Sequence, residues 1–280
     1  MRPLANPVRY SYALLSICIA GGLAVGLGFA LVSGIRHLLW MNMMQGDHKS
    51  FLLWLETTGA LFLTLLFWYR ILAAVIRQRR RVTQLEKKLQ SRLHPFTLPI
   101  PASIRDLASW YLVDDDQPMA FTWGVWRPRI ALSTGLCKQL DEEAQEAVMF
   151  HEAAHARMRD PLQQTILVVL SEALGPLGMH ALYKRYLIGR EIWADQEALR
   201  ACGGDDIPLL SALVAVGRDK GTQDSVASYV GLAGVLEARV EFLETGSLPQ
   251  LWDGDIRYRL MASFMAVVFT VGEGLLVWCH

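Results

Sequence analysis

The stretch FHEAAHARMRDP, residues 150–161, determines how the rest of the chain is interpreted. On a helix, residues four apart lie on one face about 6 Å from each other, so His151 and His155 can bind one metal ion. Glu152 then stands beside the metal and can act as a general base on a water bound there. Since a bare HExxH occurs in many unrelated proteins, a third ligand is needed to decide its meaning.

The residues before this stretch carry the signals of a helix start. Asp141 can cap the helix, Glu142 and Glu143 suit its positive N-terminal end, and Ala144, Val148 and Ala153 have helical spacing. The pattern therefore predicts a helix that runs through HEAAH.

A second acidic stretch, REIWADQEALRACGG at residues 190–204, supplies candidates for the third ligand. Glu191 and Asp195 share one helix face, and Glu191 would complete a His2Glu zinc site with an open fourth position. Asp195 could then accept a hydrogen bond from the free ring N–H of a ligand histidine. The rival third ligands are His180, Glu172 and Glu197.

Composition places this site in an apolar chain. Of 280 residues 52% are hydrophobic and 19% charged, with a mean hydropathy of +0.25, which is typical of membrane proteins rather than soluble enzymes. The net charge of zero gives no global field for nucleic acid. The cysteines are scattered singly and indicate neither a disulfide framework nor a thiolate zinc site: Cys18, Cys137, Cys202 and Cys279.

Three stretches are long enough to cross a bilayer, which takes about 20 apolar residues. They are residues 12–35, 51–76 and 260–279. Glu56 in the second is better explained as an interfacial or protonated residue than as a functional one, whereas Glu273 in the third is either a buried polar contact or a functional carboxyl.

Basic residues set the predicted orientation. The run RQRRRVTQLEKKLQSR, residues 77–92, directly follows the second stretch, and Arg257 and Arg259 precede the third. The positive-inside rule therefore places these flanks in the cytoplasm, with the basic run against anionic lipid rather than nucleic acid.

The apolar segment between the two halves of the site, residues 162–189, cannot be a simple span. His155 and Glu191 must reach one metal, so both ends of the segment lie on the same side of the membrane. The break at 175–178 leaves arms too short to cross. We predict a re-entrant or interfacial hairpin, the alternative being two amphipathic helices within the zinc domain.

The residues before the zinc helix predict a small sheet. MAFTWGVWRPRIALSTGL alternates apolar and polar residues and reads as two short strands around Arg127 and Pro128.

These motifs in this order resemble the integral-membrane gluzincin family that includes the BlaR/MecR-type antirepressor peptidases. The likeness rests on FTWGVWRPRIALSTGLCKQLDEEAQEAVMFHE, HEAAHARMRDP and EIWADQEAL, within roughly residues 95–200. Ser133 stands where that family has proline, and the family's C-terminal sensor domain has no counterpart, so sensing of beta-lactams is not implied. The HtpX/Ste24-type membrane proteases are similar more distantly.

The resemblance implies roles for individual residues. Zinc would be bound by His151, His155 and Glu191, with Glu152 as the general base and Asp195 and Asp160 as residues behind the ligands. Asp160 would be a structural partner of nearby basic groups. FTWGV resembles the edge strand along which such enzymes bind an extended substrate, through Phe121, Thr122, Trp123 and Gly124.

Together these features predict a mainly α membrane protein with about three transmembrane helices, a hairpin and a small α+β zincin-like cytoplasmic domain. Its predicted segments are two transmembrane helices (1–78), the first half of the zinc domain (79–161), the hairpin (162–189), the second half (190–256) and a last transmembrane helix (257–280).

The predicted function is that of a zinc endopeptidase in the bacterial cytoplasmic membrane, with its site facing the cytoplasm. Its partners would be the bilayer and a protein substrate, such as a transcriptional repressor or the enzyme itself, without direct contact to nucleic acid. The alternatives are a quality-control or processing protease and a non-proteolytic signalling or scaffold protein with structural zinc. The oligomeric state is left open.

Overall fold

The computed structural model describes residues 5–41, 49–175, 178–218 and 232–246. The chain is mostly helical with one small sheet, as the sequence predicts. Its elements are α1 Ala5–Met41, α2 Lys49–Gln90, β1 Leu93–Pro95, β2 Ser109–Val113, β3 Ala120–Trp123, β4 Arg129–Ser133, α3 Thr134–Gln139, α4 Glu142–Arg157, α5 Asp160–Ala173, α6 Met179–Ala201, α7 Ile207–Arg218 and α8 Leu232–Thr245, with a short 3-10 turn at Arg105–Leu107.

The described residues fall into two compact units. The first includes Gln78–Leu167 and the described part of Lys184–Leu251, and the second includes the described parts of Tyr12–Arg77 and Val168–Tyr183. All the predicted site residues belong to the first unit.

The sheet of the first unit has the strand order β1-β2-β4-β3. Strands β2 and β4 are parallel, whereas β1 and β3 pair antiparallel with their neighbours, so β3 is an edge strand. The two predicted strands are confirmed as β3 and β4. The sequence analysis did not predict β1 or β2. Strand β1 has only three residues and ends at Pro95, which is typical of a turn.

Apolar residues cover both faces of this sheet. On one face, Ile130 and Leu132 of β4 pack against the buried side of α4, including Val148 and Ala153. On the other face, Trp123 belongs to a cluster with Leu89 and the partly buried Leu85 from the end of α2. Among the described strands, β1 and β3 are the two edges of the sheet, and the outer edge of β3 could pair with a partner strand.

The predicted zinc helix is confirmed as α4. Asp141 caps it by accepting a hydrogen bond from the Ala144 N–H at 2.8 Å, and Glu142 and Glu143 occupy its first turn. The helix ends at Arg157, and Arg159 adopts a left-handed conformation with φ of 53°. The chain therefore turns sharply and starts α5 at Asp160.

The helix best suited to a membrane is α2. Among the described residues, Leu61–Gln90 of α2 is long and apolar enough to cross a bilayer, and Leu15–Gly28 of α1 is a shorter apolar stretch. The three predicted spans are thus supported only in part. The third, residues 260–279 with Glu273, lies outside the described residues, as does the side chain of Glu56.

The segment predicted as a hairpin is occupied by α5, which ends at Ala173, and by the start of α6, which begins at Met179. In the second unit, Arg70 Nε donates to the Ala173 carbonyl at 2.7 Å, and Arg77 Nε lies 3.1 Å from Glu172. These contacts tie the hairpin tip to α2. One feature differs from the prediction, because α6 is a single helix of 23 residues that continues through Glu191. Entry of the hairpin into the bilayer stays a prediction.

Candidate metal centre

Three side chains from two helices converge in the first unit. His151 and His155 on α4 have their Nε2 atoms 3.1 Å apart, and both histidines are 6% exposed. Glu191 on α6 places Oε2 at 3.4 Å from His151 Nε2 and Oε1 at 3.7 Å from His155 Nε2. These three residues form one group that could hold a metal ion.

The spacing of these atoms fits zinc. Tetrahedral ligands at about 2.0 to 2.1 Å from zinc lie about 3.3 to 3.4 Å from one another. The two Nε2 atoms, 3.1 Å apart, and Glu191 Oε2, 3.4 Å from His151 Nε2, are close to that value, whereas the 3.7 Å approach to His155 is made by the other Glu191 oxygen. Two imidazoles and one carboxylate are also the donor set of many catalytic zinc sites, which keep a fourth position open. The residues present therefore fit the metal that the sequence implies.

Small residues let the two helices approach each other. Ala147 on α4 and Ala198 on α6 are buried in one cluster with Leu209 of α7, and Leu243 of α8 packs against it. This shared cluster joins α4 and α6, which carry the two histidines and Glu191.

Asp160 supports His155. Its Oδ2 lies 2.7 Å from His155 Nδ1, and the carboxyl is 1% exposed. The left-handed turn at Arg159 reverses the chain just enough for the first residue of α5 to reach back to the last turn of α4. The resemblance implied that Asp160 is a partner of a nearby basic group, and the structure places it against a predicted ligand.

Asp195 supports His151 in a similar way. Its Oδ1 lies 2.9 Å from His151 Nδ1, although the ring N–H is not aligned for a regular hydrogen bond. Arg239 of α8 donates from Nε and Nη2 to the two oxygens of Asp195 at 2.8 and 2.6 Å. This two-pronged pair fixes the plane of a carboxylate that is 0% exposed.

Two arginines also flank Glu191. Arg190 donates to Glu191 Oε1 and, through Nη1, to Gln164 at 2.9 Å, while Arg239 Nη1 lies 3.4 Å from Glu191 Oε2. Burial opposes ionisation, yet Arg190 and then His155 hold the pKa of Glu191 well below its ordinary value. Arg239 likewise lowers the pKa of Asp195 against the effect of burial. Both carboxyls are therefore negatively charged at neutral pH.

The histidines have raised pKa values in the metal-free protein. Burial lowers the pKa of His155, but the Glu191 and Asp160 carboxylates outweigh it and raise the pKa to about 9. For His151, burial and Arg239 lower the pKa, and contacts with Asp195 and Glu191 raise it overall. The negative charge of these carboxylates favours a positive charge on the imidazoles. The same negative charge would favour the binding of a metal cation.

Glu152 is buried beside the ligands, where α4 lies against β3. Thr122 in β3 donates its hydroxyl towards Glu152 Oε2 at 2.7 Å. The side chains of the neighbouring predicted substrate residues do not face Glu152 as Thr122 does. Phe121 and Trp123 pack with each other on the opposite face of the sheet. Gly124 has φ of 96° and begins the turn to β4. A role for Phe121, Trp123 and Gly124 in binding substrate would therefore involve the backbone of β3 and of the turn that follows it.

The rival third ligands have other contacts. Glu172 pairs with Arg77, and His180 Nδ1 lies 2.9 Å from the Ser171 hydroxyl, both within the second unit. Glu197 pairs with Arg157 and Arg200 on the exposed side of α6. Of these acidic and histidine residues, Glu191 alone joins the described metal group.

Sequence reasoning missed Arg239 and the role of Arg190. A signal for Arg239 existed, because it follows the helical spacing of Val235, Ala238 and Phe242, all of which are buried. A cation on an apolar helix face needs a buried anion, and Asp195 is that anion. Arg190 gave no comparable signal, since a basic residue in a helix usually faces solvent.

Comparison with known proteins agrees with this geometry. Residues 83–216 match the profile of Peptidase family M48. A protein described as "Protease HtpX homolog" from Acidiphilium cryptum (strain JF-5) is 39% identical over 75 residues, which is 26% of this chain and 26% of that protein. The matched region thus spans about a quarter of the length of this curated relative.

These matches support a metallopeptidase of the M48 type. The family profile covers β1 to β4, α3 to α6 and most of α7, so it includes every predicted metal ligand. The narrower resemblance to antirepressor peptidases stays a prediction.

Proposed function

We propose that this protein is a membrane-associated, zinc-dependent endopeptidase. The observation that carries the proposal is the convergence of His151, His155 and Glu191 at zinc spacing, with the Glu152 carboxyl beside them. Three ligands with a position left for water or substrate favour catalysis over a structural zinc, which usually has four protein ligands. The described cysteines are not members of this group.

The chemistry divides between the metal and this chain's own residues. Zinc, when bound, polarises the scissile carbonyl and makes a water easier to deprotonate. Glu152 takes the proton of the attacking water and later delivers it to the leaving amine. Asp160 and Asp195 lie against the Nδ1 atoms of His155 and His151. The Nε2 atoms are therefore available for the metal.

The free edge of β3 offers a place for the substrate. An extended peptide that pairs with β3 would lie next to α4, within reach of Glu152. Backbone pairing recognises strand conformation rather than particular side chains, so sequence preference would be loose. The substrate class is therefore an extended or unfolded segment of a protein.

The membrane assignment rests on α2. Its apolar part, residues 61–76, continues in the same helix into the basic run as far as Gln90. Basic residues at the end of an apolar helix favour the cytoplasmic face, which is where we place the site.

Between the two narrower functions, we favour a processing or quality-control protease of the HtpX type, because the curated relative is an HtpX homologue. Cleavage of a repressor, or of the enzyme itself, is the alternative. Incubating the purified protein with an unfolded protein such as casein, and separately alone, distinguishes broad proteolysis from cleavage limited to itself.

The test of the proposal is Glu152→Gln in the full chain, purified in detergent and loaded with zinc. We expect zinc content to be unchanged and the cleavage rate to fall by about 10²- to 10⁴-fold, the usual contribution of a general base. Glu146→Gln, an exposed position on the same helix, is the matched control and should remain active. Full activity of Glu152→Gln would contradict the mechanism.

A further inference from the structure

Thr122 makes a side-chain contact with Glu152 that the sequence did not predict. Its hydroxyl lies 2.7 Å from Glu152 Oε2 and 3.0 Å from the Glu152 carbonyl oxygen. A hydroxyl has one proton to donate, so the two acceptors compete for it.

The carboxylate is the better acceptor. The Glu152 carbonyl lies inside α4, where a helix already directs the N–H of the residue four positions later towards it. The carboxylate is charged, and hydrogen bonds to charged oxygens are shorter and about twice as strong as neutral ones. The shorter of the two distances, 2.7 Å, is the one to Oε2.

The donor is fixed in place, whereas the acceptor is not. Threonine is branched at Cβ and has restricted rotation about χ1, and Thr122 sits in a strand paired with β4 at Ile130. Glutamate has three rotatable bonds and loses much conformational freedom when it is held in one position. The contact with Thr122 therefore restricts a side chain that has more rotatable bonds than its partner.

We propose that Thr122 is a positioning residue that holds the Glu152 carboxylate in its working orientation. This inference rests on the proposed function of Glu152 as general base. Engaging Oε2 leaves the lone pairs of Oε1 free to accept a proton from water. The same strand would then both orient the general base and line the edge where a substrate pairs.

The first experiment compares Thr122→Val with Thr122→Ser in the zinc-loaded full chain. Valine matches threonine in shape without the hydroxyl, so we expect kcat to fall about 10- to 100-fold with KM within about twofold, as for the loss of a hydrogen bond to a charged group. Serine keeps the hydroxyl and should restore most of kcat. Zinc affinity should be the same in all three proteins, because Thr122 touches no metal ligand in the described hydrogen bonds.

Thr165→Val is the matched control. Thr165 donates its hydroxyl to the Pro161 carbonyl at 2.7 Å in α5, so this change also removes one threonine hydrogen bond. It should leave kcat unchanged. An equal fall in kcat for Thr122→Val and Thr165→Val, or no rescue by serine, overturns the proposal.

A second experiment needs no activity. We expect Thr122→Val to lower the unfolding temperature by several degrees in the wild type and much less in a Glu152→Ala background, because the partner is then gone. Equal shifts in both backgrounds overturn the contact itself. If the wild-type protein cleaves nothing, the proposed function fails, while the unfolding temperatures of the four variants still measure the contact between Thr122 and Glu152. If Glu152→Gln is inactive and Thr122→Val is fully active, only the positioning role fails.

Discussion

The two histidines of the site are supported by the same chemistry but by different parts of the fold. His155 meets Asp160, which is five residues further along the chain and reaches it through one tight turn. His151 meets Asp195 on another helix, and Asp195 is itself held by Arg239 from α8. The first pair depends on local chain geometry, whereas the second depends on long-range packing. Mutations should therefore affect the two pairs differently.

The largest difference is expected for Asp195→Ala against Asp160→Ala. Removing Asp195 takes both hydrogen-bond acceptors from the buried guanidinium of Arg239, so the free energy of unfolding should fall by about 3 to 5 kcal/mol. Loss of Asp160 should cost less, about 1 to 3 kcal/mol, because His155 can respond by losing its proton. Urea unfolding of the metal-free protein measures both values, and equal losses would mean that the two supports are alike.

Arg239 gives the next largest effect. Arg239→Gln should weaken zinc binding by about 10- to 100-fold, because Asp195 loses the two-pronged partner that orients it behind His151. Arg239→Lys should recover only part of the affinity, since lysine cannot reproduce the fork. A competition titration with a zinc chelator measures the change. Arg200→Gln, on the exposed side of α6, is the control expected to bind zinc normally.

Asp160→Asn tests the local pair without a large loss of packing. The amide keeps an oxygen near His155 Nδ1 but removes the charge, so we expect zinc affinity to fall by about tenfold, the lower end for such partners. The same titration applies. A loss of zinc affinity as large as that of Arg239→Gln would show that the supports of His155 and His151 are equally sensitive to mutation.

The affinity for zinc should also depend on pH. The raised pKa of His155, about 9 against the ordinary 6.5, stabilises the metal-free fold fully below about pH 6.5, and this contribution is lost as the pH rises through about 9. Zinc must displace that proton, so its apparent affinity should rise about tenfold per pH unit for each proton displaced, up to about pH 9. Zinc titrations from pH 6.5 to 9 measure the slope. Asp160→Asn should flatten it, and a flat wild-type profile would contradict the assigned charges.

Local patterns predicted the α4 half of the site well. Asp141, the acidic first turn and the spacing of His151 and His155 all act within one helix, so the sequence carries the necessary information. The strands β3 and β4 could be predicted for the same reason, since alternation around Arg127 and Pro128 is a local property.

The missed features are those that depend on distant parts of the chain. Arg239 reaches the site because α8 packs through Leu243 against the cluster around Ala147 and Ala198. Thr122 was predicted to contact substrate, but its hydroxyl contact with Glu152 depends on how α4 crosses the sheet. Neither contact follows from spacing along the sequence.

The order of these parts along the chain has a consequence during synthesis. A ribosome releases the α4 histidines first, Glu191 follows 36 residues after His155, and Arg239 emerges 48 residues after Glu191. A nascent chain that ends before α6 holds two of the three converging ligands, and one that ends before α8 lacks the arginine that neutralises Asp195. The complete set of these residues is therefore present only after α8 has been translated.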